Sequence, residues 1–115
     1  MAQPVAWFEI HGKDGAKSRD FYTTLFGWQI DANNPMNYGM VTAAEGGIGG
    51  GVAQSDAPMV TFYIQVPNVD EALKKAEGLG AKIVMPADDV PGGPRIGMFA
   101  DLDGNTIGVM TMQMG

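Results

Sequence analysis

Two side chains able to move a proton lie two positions apart, Glu9 and His11, in the run Ala6-Trp7-Phe8-Glu9-Ile10-His11. Side chains alternate across an extended strand, so a strand here puts Trp7, Glu9 and His11 on one face. His11 is the only histidine in the chain, and imidazole is the group whose ordinary titration falls near neutrality. Hydrogen-bonded to Glu9, it is a candidate general base, and the two residues form the candidate catalytic pair. Two blander readings stand beside this one. His11 either caps the helix that follows or faces solvent, and Glu9 is held in a structural pair. A carboxylate on a largely apolar face is costly unless partnered, and His11, Tyr63 and Arg95 are the partners in reach of the pattern. There is no cysteine, which removes thiolate nucleophiles, thiolate metal sites and disulfides. No serine has a recognisable base near it. Asp88 and Asp89 fall in a proline-rich stretch and read as solvated.

The elements that must position these groups are legible as a repeat. Val60-Thr61-Phe62-Tyr63-Ile64-Gln65-Val66 matches the first strand at a constant offset that also pairs Asp14 with Asn68, each opening a helical run. Asn68 with Glu71 makes a capping box, and Val69, Ala72, Leu73, Ala76 and Leu79 then recur at helical spacing. The first helix starts at Asp14 and presents Phe21, Tyr22, Leu25 and Phe26. Both helices are expected to stop at a glycine, Gly27 and Gly80, where a left-handed cap suits a residue without Cβ. Short strands follow at Trp28 to Ile30 and Lys82 to Val84. Further strands are expected at Tyr38 to Ala43, Ile48 to Ala53, Ile96 to Ala100 and Thr106 to Thr111. Pro86 to Pro94 reads as a loop, Ala53 to Pro58 as the linker, and Asp101 to Asn105 as a tight turn. The expected fold class is α+β: one domain over 1–115, built of two βαβββ modules (about 4–54 and 58–112) in a pseudo-twofold arrangement forming a cleft, helices on the outer face.

Composition bounds the function classes. A chain of 115 residues with 45% hydrophobic and 17% charged residues is folded and large enough to bury a core without disulfides or metal. The net charge of −6 argues against nucleic acid, which needs clustered lysine and arginine. No apolar run approaches the length that spans a bilayer, so no membrane partner is expected. The opening residues lack a secretory pattern; a cytoplasmic location is expected. Gly46 to Gly51, interrupted only by Ile48, lacks the Lys-Ser/Thr ending and following helix of a phosphate loop.

The run Asp20-Phe21-Tyr22-Thr23-Thr24-Leu25-Phe26-Gly27-Trp28 resembles the helix end of the vicinal oxygen chelate superfamily of glyoxalase I, bleomycin-resistance proteins and extradiol dioxygenases. Asp101-Leu102-Asp103-Gly104-Asn105 resembles the turn before its last strand. Val69-Asp70-Glu71-Ala72 and Leu79-Gly80-Ala81 fit the ends of its second helix. The resemblance implies a shared cleft, often a homodimer, and in many members a divalent ion with ligands from the opening and closing strands of each module. Carried over position by position, those ligands fall on Trp7, Thr61, Gly108 and a residue within Gly49-Gly50-Gly51. An indole, a hydroxyl and two glycines are not a chelating set, so no metal and no cofactor are expected.

Alternation then assigns the faces. Ala6, Phe8 and Ile10, with Val60, Phe62, Ile64 and Val66, are expected under the helices. Trp7, Glu9, His11, Thr61, Tyr63, Gln65, Met110 and Met112 face the cleft, and the glycines at the ligand positions leave its floor bare, letting a ligand approach closely. Trp7, Tyr38, Thr61, Tyr63, Gln65 and Met110 are the expected ligand-binding residues for a small, partly apolar molecule. The leading expectation is a binding protein, with sequestration of a cationic compound one form of it. The rival is a metal-independent lyase- or isomerase-type enzyme using Glu9 and His11. A third reading puts a divalent ion at an unusual place on the same two residues.

Overall fold

The computed structural model describes residues 2–111; Met112 lies outside the described residues. The repeat folds as two successive βαβββ passages. The first comprises β1 (Val5–Gly12), α1 (Gly15–Phe26), β2 (Ile30–Asp31), β3 (Gly39–Val41) and β4 (Gly49–Gln54). The second comprises β5 (Met59–Gln65), α2 (Val69–Gly78), β6 (Lys82–Asp89), β7 (Arg95–Ala100) and β8 (Thr106–Met110). Strands and two helices make the fold α+β. The chain divides into two compact units, one over Ala6–Thr61 and the other from Phe62 onward together with the residues up to Val5.

Within the first of these units the strand order is β2-β3-β4-β1, with β1 parallel to β4 and the other pairs antiparallel. Asp14 caps α1 by accepting from the Lys17 amide at 3.1 Å. Gly27 ends it in the left-handed region, at φ 72°, where a side chain would be strained. Only Gly15 of α1 is buried, so packing falls to aromatic residues at its edge. Trp28 lies between Phe8 and Tyr22, at ring-centroid distances of 5.3 and 5.4 Å. Phe8 in turn lies over Gly50, where an added Cβ would overlap its ring.

In the other unit the order is β5-β8-β7-β6, with β5 parallel to β8 and the remainder antiparallel. Asn68 caps α2 through the Glu71 amide at 3.0 Å. Leu79 is the C-cap, and Gly80, one residue later, takes the positive φ of 106°. The core gathers Val66, Val69, Leu73 and Val109, with Ile64, Ile83 and Phe99 packed against it. Burial of this kind contributes about 1.5–3 kcal/mol for each such side chain.

Three expectations need correction. Strand β6 runs on through Pro86 to Asp89, so the loop shrinks to Val90–Pro94. The strand tolerates proline because β6 is the last in its order and its pairing slips between Ile83 and Met85 and again between Met85 and Asp88; at an edge or bulge the missing N–H costs no ladder bond. Val60 and Phe62 do not pack under a helix: they are 74% and 39% exposed, because α2 covers only the later part of β5, Ile64 and beyond. The early strand after α1 is shorter than expected, two residues from Ile30; Gly49–Gly51 lies half-buried or buried within β4, in the place of the strand expected over Ile48 to Ala53.

Candidate functional site

Strand β1 carries Trp7, Glu9 and His11 on the face opposite Phe8, as alternation requires. The parallel ladder sets Trp7 against Gly49, Glu9 against Gly51 and His11 against Ala53 on β4. The loop before β3 supplies the fourth member. The Asn34 side chain clamps both backbone groups of Tyr38: its Nδ2 donates to the Tyr38 carbonyl at 2.7 Å, and its Oδ1 accepts from the Tyr38 amide at 2.9 Å. Asn37, just before it, sits at a positive φ of 53°, a conformation asparagine tolerates better than most residues. So held, the Tyr38 ring lies over Gly51, where any Cβ would overlap its hydroxyl.

Four side chains thus form one hydrogen-bonded chain. The Trp7 indole N–H donates to the Tyr38 hydroxyl at 3.0 Å, and that hydroxyl donates to Glu9 Oε2 at 2.7 Å. His11 Nε2 lies 2.6 Å from Glu9 Oε1. The Glu9 and His11 side chains are 13% and 19% exposed, a setting in which charge-assisted hydrogen bonds are stronger than at the surface. His11, one of the expected partners, and Tyr38, which is not among them, thus both pair with Glu9. Of the other candidates, Arg95 is engaged elsewhere, with Asp70 at 2.8 Å and Asp89 at 3.1 Å. Asp89 is thereby a strand residue in an ion pair, facing Arg95 in the β6–β7 ladder. The Arg95 guanidinium holds the Asp70 carboxyl below the usual carboxylate range.

The remaining expected ligand residues lie on β5 and β8. Thr61 and Tyr63 are buried, at 4% and 5% exposure, while Gln65 and Met110 are half-buried register partners. Tyr63 stands opposite Gly108, and a Cβ there would overlap its ring. The two passages therefore solve one problem in two ways. The glycine on the closing strand is covered by a tyrosine ring in each, but Tyr63 comes from the opening strand itself. In the first passage Glu9 holds that place, and the tyrosine arrives from the loop before β3. The glycines do not leave a bare floor, as their small size suggests; the protein's own aromatic rings fill the space above them.

This bears on the divalent ion that the resemblance implies. The Trp7 nitrogen carries a hydrogen and has given it to Tyr38, Thr61 offers a hydroxyl, and the positions at Gly50, Gly51 and Gly108 are covered by Phe8, Tyr38 and Tyr63. The residues at those positions do not fit a divalent ion. Among the described residues no three His, Cys, Asp or Glu side chains converge elsewhere as metal ligands, and no helix is long and apolar enough to cross a membrane.

The chain that folds into these two βαβββ passages matches a known family model. The model of the glyoxalase/bleomycin resistance protein/dioxygenase superfamily covers residues 5–109, and the chain belongs to that superfamily. A protein of Mycobacterium tuberculosis named putative glyoxylase CFP32 is 30% identical over 90% of this chain and 43% of its own length. The anthracycline biosynthesis protein DnrV of Streptomyces peucetius is 31% identical over 90% of this chain and 45% of its own. The chain thus spans less than half the length of these curated relatives. A superfamily member from Vibrio splendidus 12B01 has the same fold, with a TM-score of 0.64 at 14% identity over 96% of this chain and 99% of its own.

Proposed function

We propose that this chain binds a small, partly apolar molecule on the face carrying Trp7, Glu9, His11 and Tyr38, without the divalent ion many of its relatives use. The observation that carries the reading is the Trp7–Tyr38–Glu9–His11 chain. Two aromatic side chains and a half-buried acid–imidazole pair are locked together on the face of β1 that carries Trp7, one of the positions where the resemblance puts a metal ligand. Pre-organised polar groups set among aromatic walls are the usual make-up of a small-molecule site. The relative named for anthracycline biosynthesis supports the same ligand class, since anthracyclines are partly apolar small molecules. A cytoplasmic setting and a homodimeric state belong to this proposal too, the latter checked by light scattering. Equilibrium titration with a compound library, read through Trp7 fluorescence against a Trp7→Phe control, tests it: a saturable change lost in the variant is the expected result, and a library in which nothing binds defeats it.

One observation favours a second reading, a metal-independent lyase- or isomerase-type enzyme. His11 is oriented by Glu9 at 2.6 Å, which is how a carboxylate prepares an imidazole for proton transfer. His11→Ala and Glu9→Ala discriminate: a binding protein changes affinity only, whereas an enzyme loses turnover by about 10²–10⁴-fold.

A further inference from the structure

The hydrogen-bond chain has a direction, and the direction starts at Trp7. An indole N–H can only donate, so the Tyr38 oxygen 3.0 Å away accepts from it. The Tyr38 hydroxyl in turn donates its proton to Glu9 Oε2 at 2.7 Å. An ionised carboxylate only accepts, so Oε1 also accepts, and the atom 2.6 Å from it, His11 Nε2, is the donor. The opposite polarity would need a carboxylic acid donating to a bare imidazole nitrogen; imidazole is the stronger base, and the proton would cross to it. His11 Nδ1 has no hydrogen-bond partner among the described residues.

We infer that Trp7, Tyr38 and Glu9 are positioning residues that fix the neutral form of the His11 ring as the tautomer protonated on Nε2, so that in this form Nδ1 offers a lone pair to the bound molecule. Resting on the reading that this face binds a small molecule, the ligand class follows: a neutral aromatic alcohol whose hydroxyl donates to Nδ1. A carboxylate or phosphate would meet a lone pair with the Glu9 charge behind it and is rejected; an ether of the same shape has nothing to donate. A site built around one specific hydrogen bond discriminates strongly against the analogue that cannot make it, because its own polar atom is then left unpaired.

Because His11 is the only histidine, its two ring nitrogens can be read without ambiguity in a ¹⁵N NMR spectrum, on the high-pH plateau where the signals stop moving. The wild-type protein is expected to show a protonated Nε2 and a bare Nδ1. Glu9→Gln inverts this: Tyr38, already accepting from Trp7, keeps donating to the new carbonyl, the amide N–H₂ turns to His11 Nε2, and the ring proton moves to Nδ1. Tyr38→Phe, which keeps the carboxylate, retains the wild-type tautomer. A wild-type spectrum with the proton on Nδ1, or a Glu9→Gln spectrum identical to wild type, overturns the inference. The ligand class is read separately by calorimetry with 2-naphthol and 2-methoxynaphthalene. The naphthol is expected to bind at least about tenfold tighter to wild type, and Glu9→Gln to narrow the gap to about twofold. Equal binding of the two to wild type overturns the ligand class. Binding of neither overturns the ligand class, the small-molecule reading is decided by the compound library, and the tautomer stands or falls on the spectra alone.

Discussion

Replacing Gly51 by alanine tests the site at the point where backbone and side chain compete for one space. A Cβ at this position overlaps the Tyr38 hydroxyl and its ring, and Gly51 is interior to β4, laddered to Glu9 on one side and to Met40 on the other. The strand cannot retreat, so Tyr38 must leave. It takes with it the hydrogen bond to the Glu9 carboxylate, worth about 1.5–3 kcal/mol, and the one from Trp7, worth about 0.5–1.5 kcal/mol. Together these amount to about 2–4.5 kcal/mol, less whatever water restores. For a small two-state domain with a urea slope of about 1–2 kcal/mol/M, the midpoint falls by about 1–4.5 M. The companion variant Gly51→Ala/Tyr38→Ala sharpens the test. Once the ring is gone the atoms that the added methyl overlaps are gone with it, so the double variant is expected to be about as stable as Tyr38→Ala alone, a coupling close to the full cost of Gly51→Ala. Urea unfolding followed by circular dichroism measures all three. Additive costs, or a Gly51→Ala penalty below about 0.5 kcal/mol, would refute the claim that this glycine exists to seat Tyr38.

Gly108→Ala should act the same way on the other passage, where the intruding methyl meets the Tyr63 ring; overpacking of this sort costs about 1–3 kcal/mol, read as a lowered melting temperature. Leu73→Ala removes a side chain buried among Val66, Val69 and Val109 and should cost about 2–5 kcal/mol by the same unfolding assay. The Asp70 carboxyl is held low by hydrogen bonding to Arg95, and the Asp101 carboxyl by hydrogen bonding to Asn105. A carboxylate whose folded value lies below its unfolded one stabilises the protein above the unfolded value and stops doing so as pH falls through the folded one. The unfolding midpoint should therefore drop on acidification below about pH 4, and Arg95→Ala should flatten part of that drop. Added Zn²⁺ or Ni²⁺ should leave the melting temperature unmoved, since ligand binding to the native state raises it.

Much of this protein was legible in its residues. The offset that pairs Phe8 with Phe62 and Asp14 with Asn68 marks two equivalent passages, because strand alternation and helix capping are local rules. Both caps appear where those rules put them, with Asp14 accepting from Lys17 and Asn68 from Glu71. Trp7, Glu9 and His11 share a face for the same reason, a period of two along one strand. Local rules also mark the limits: Pro86 reads as a break until β6 is seen to be an edge with slipped pairing, and Val60 and Phe62 read as core until α2 is seen to stop short of them.

What tertiary structure alone decided is the membership of the site and the meaning of its glycines. Tyr38 lies 29 positions from Glu9, and nothing in its own neighbourhood says that Asn34 will clamp it, or that its ring will cross β4 to reach β1. A glycine in a sequence records only that no side chain is present. Whether that space admits a ligand, or is taken by an aromatic ring from another strand, depends on long-range packing. At Gly51 and Gly108 the chain filled the space itself, and the hydroxyl delivered there joins Trp7 to Glu9 and, through Glu9, to His11.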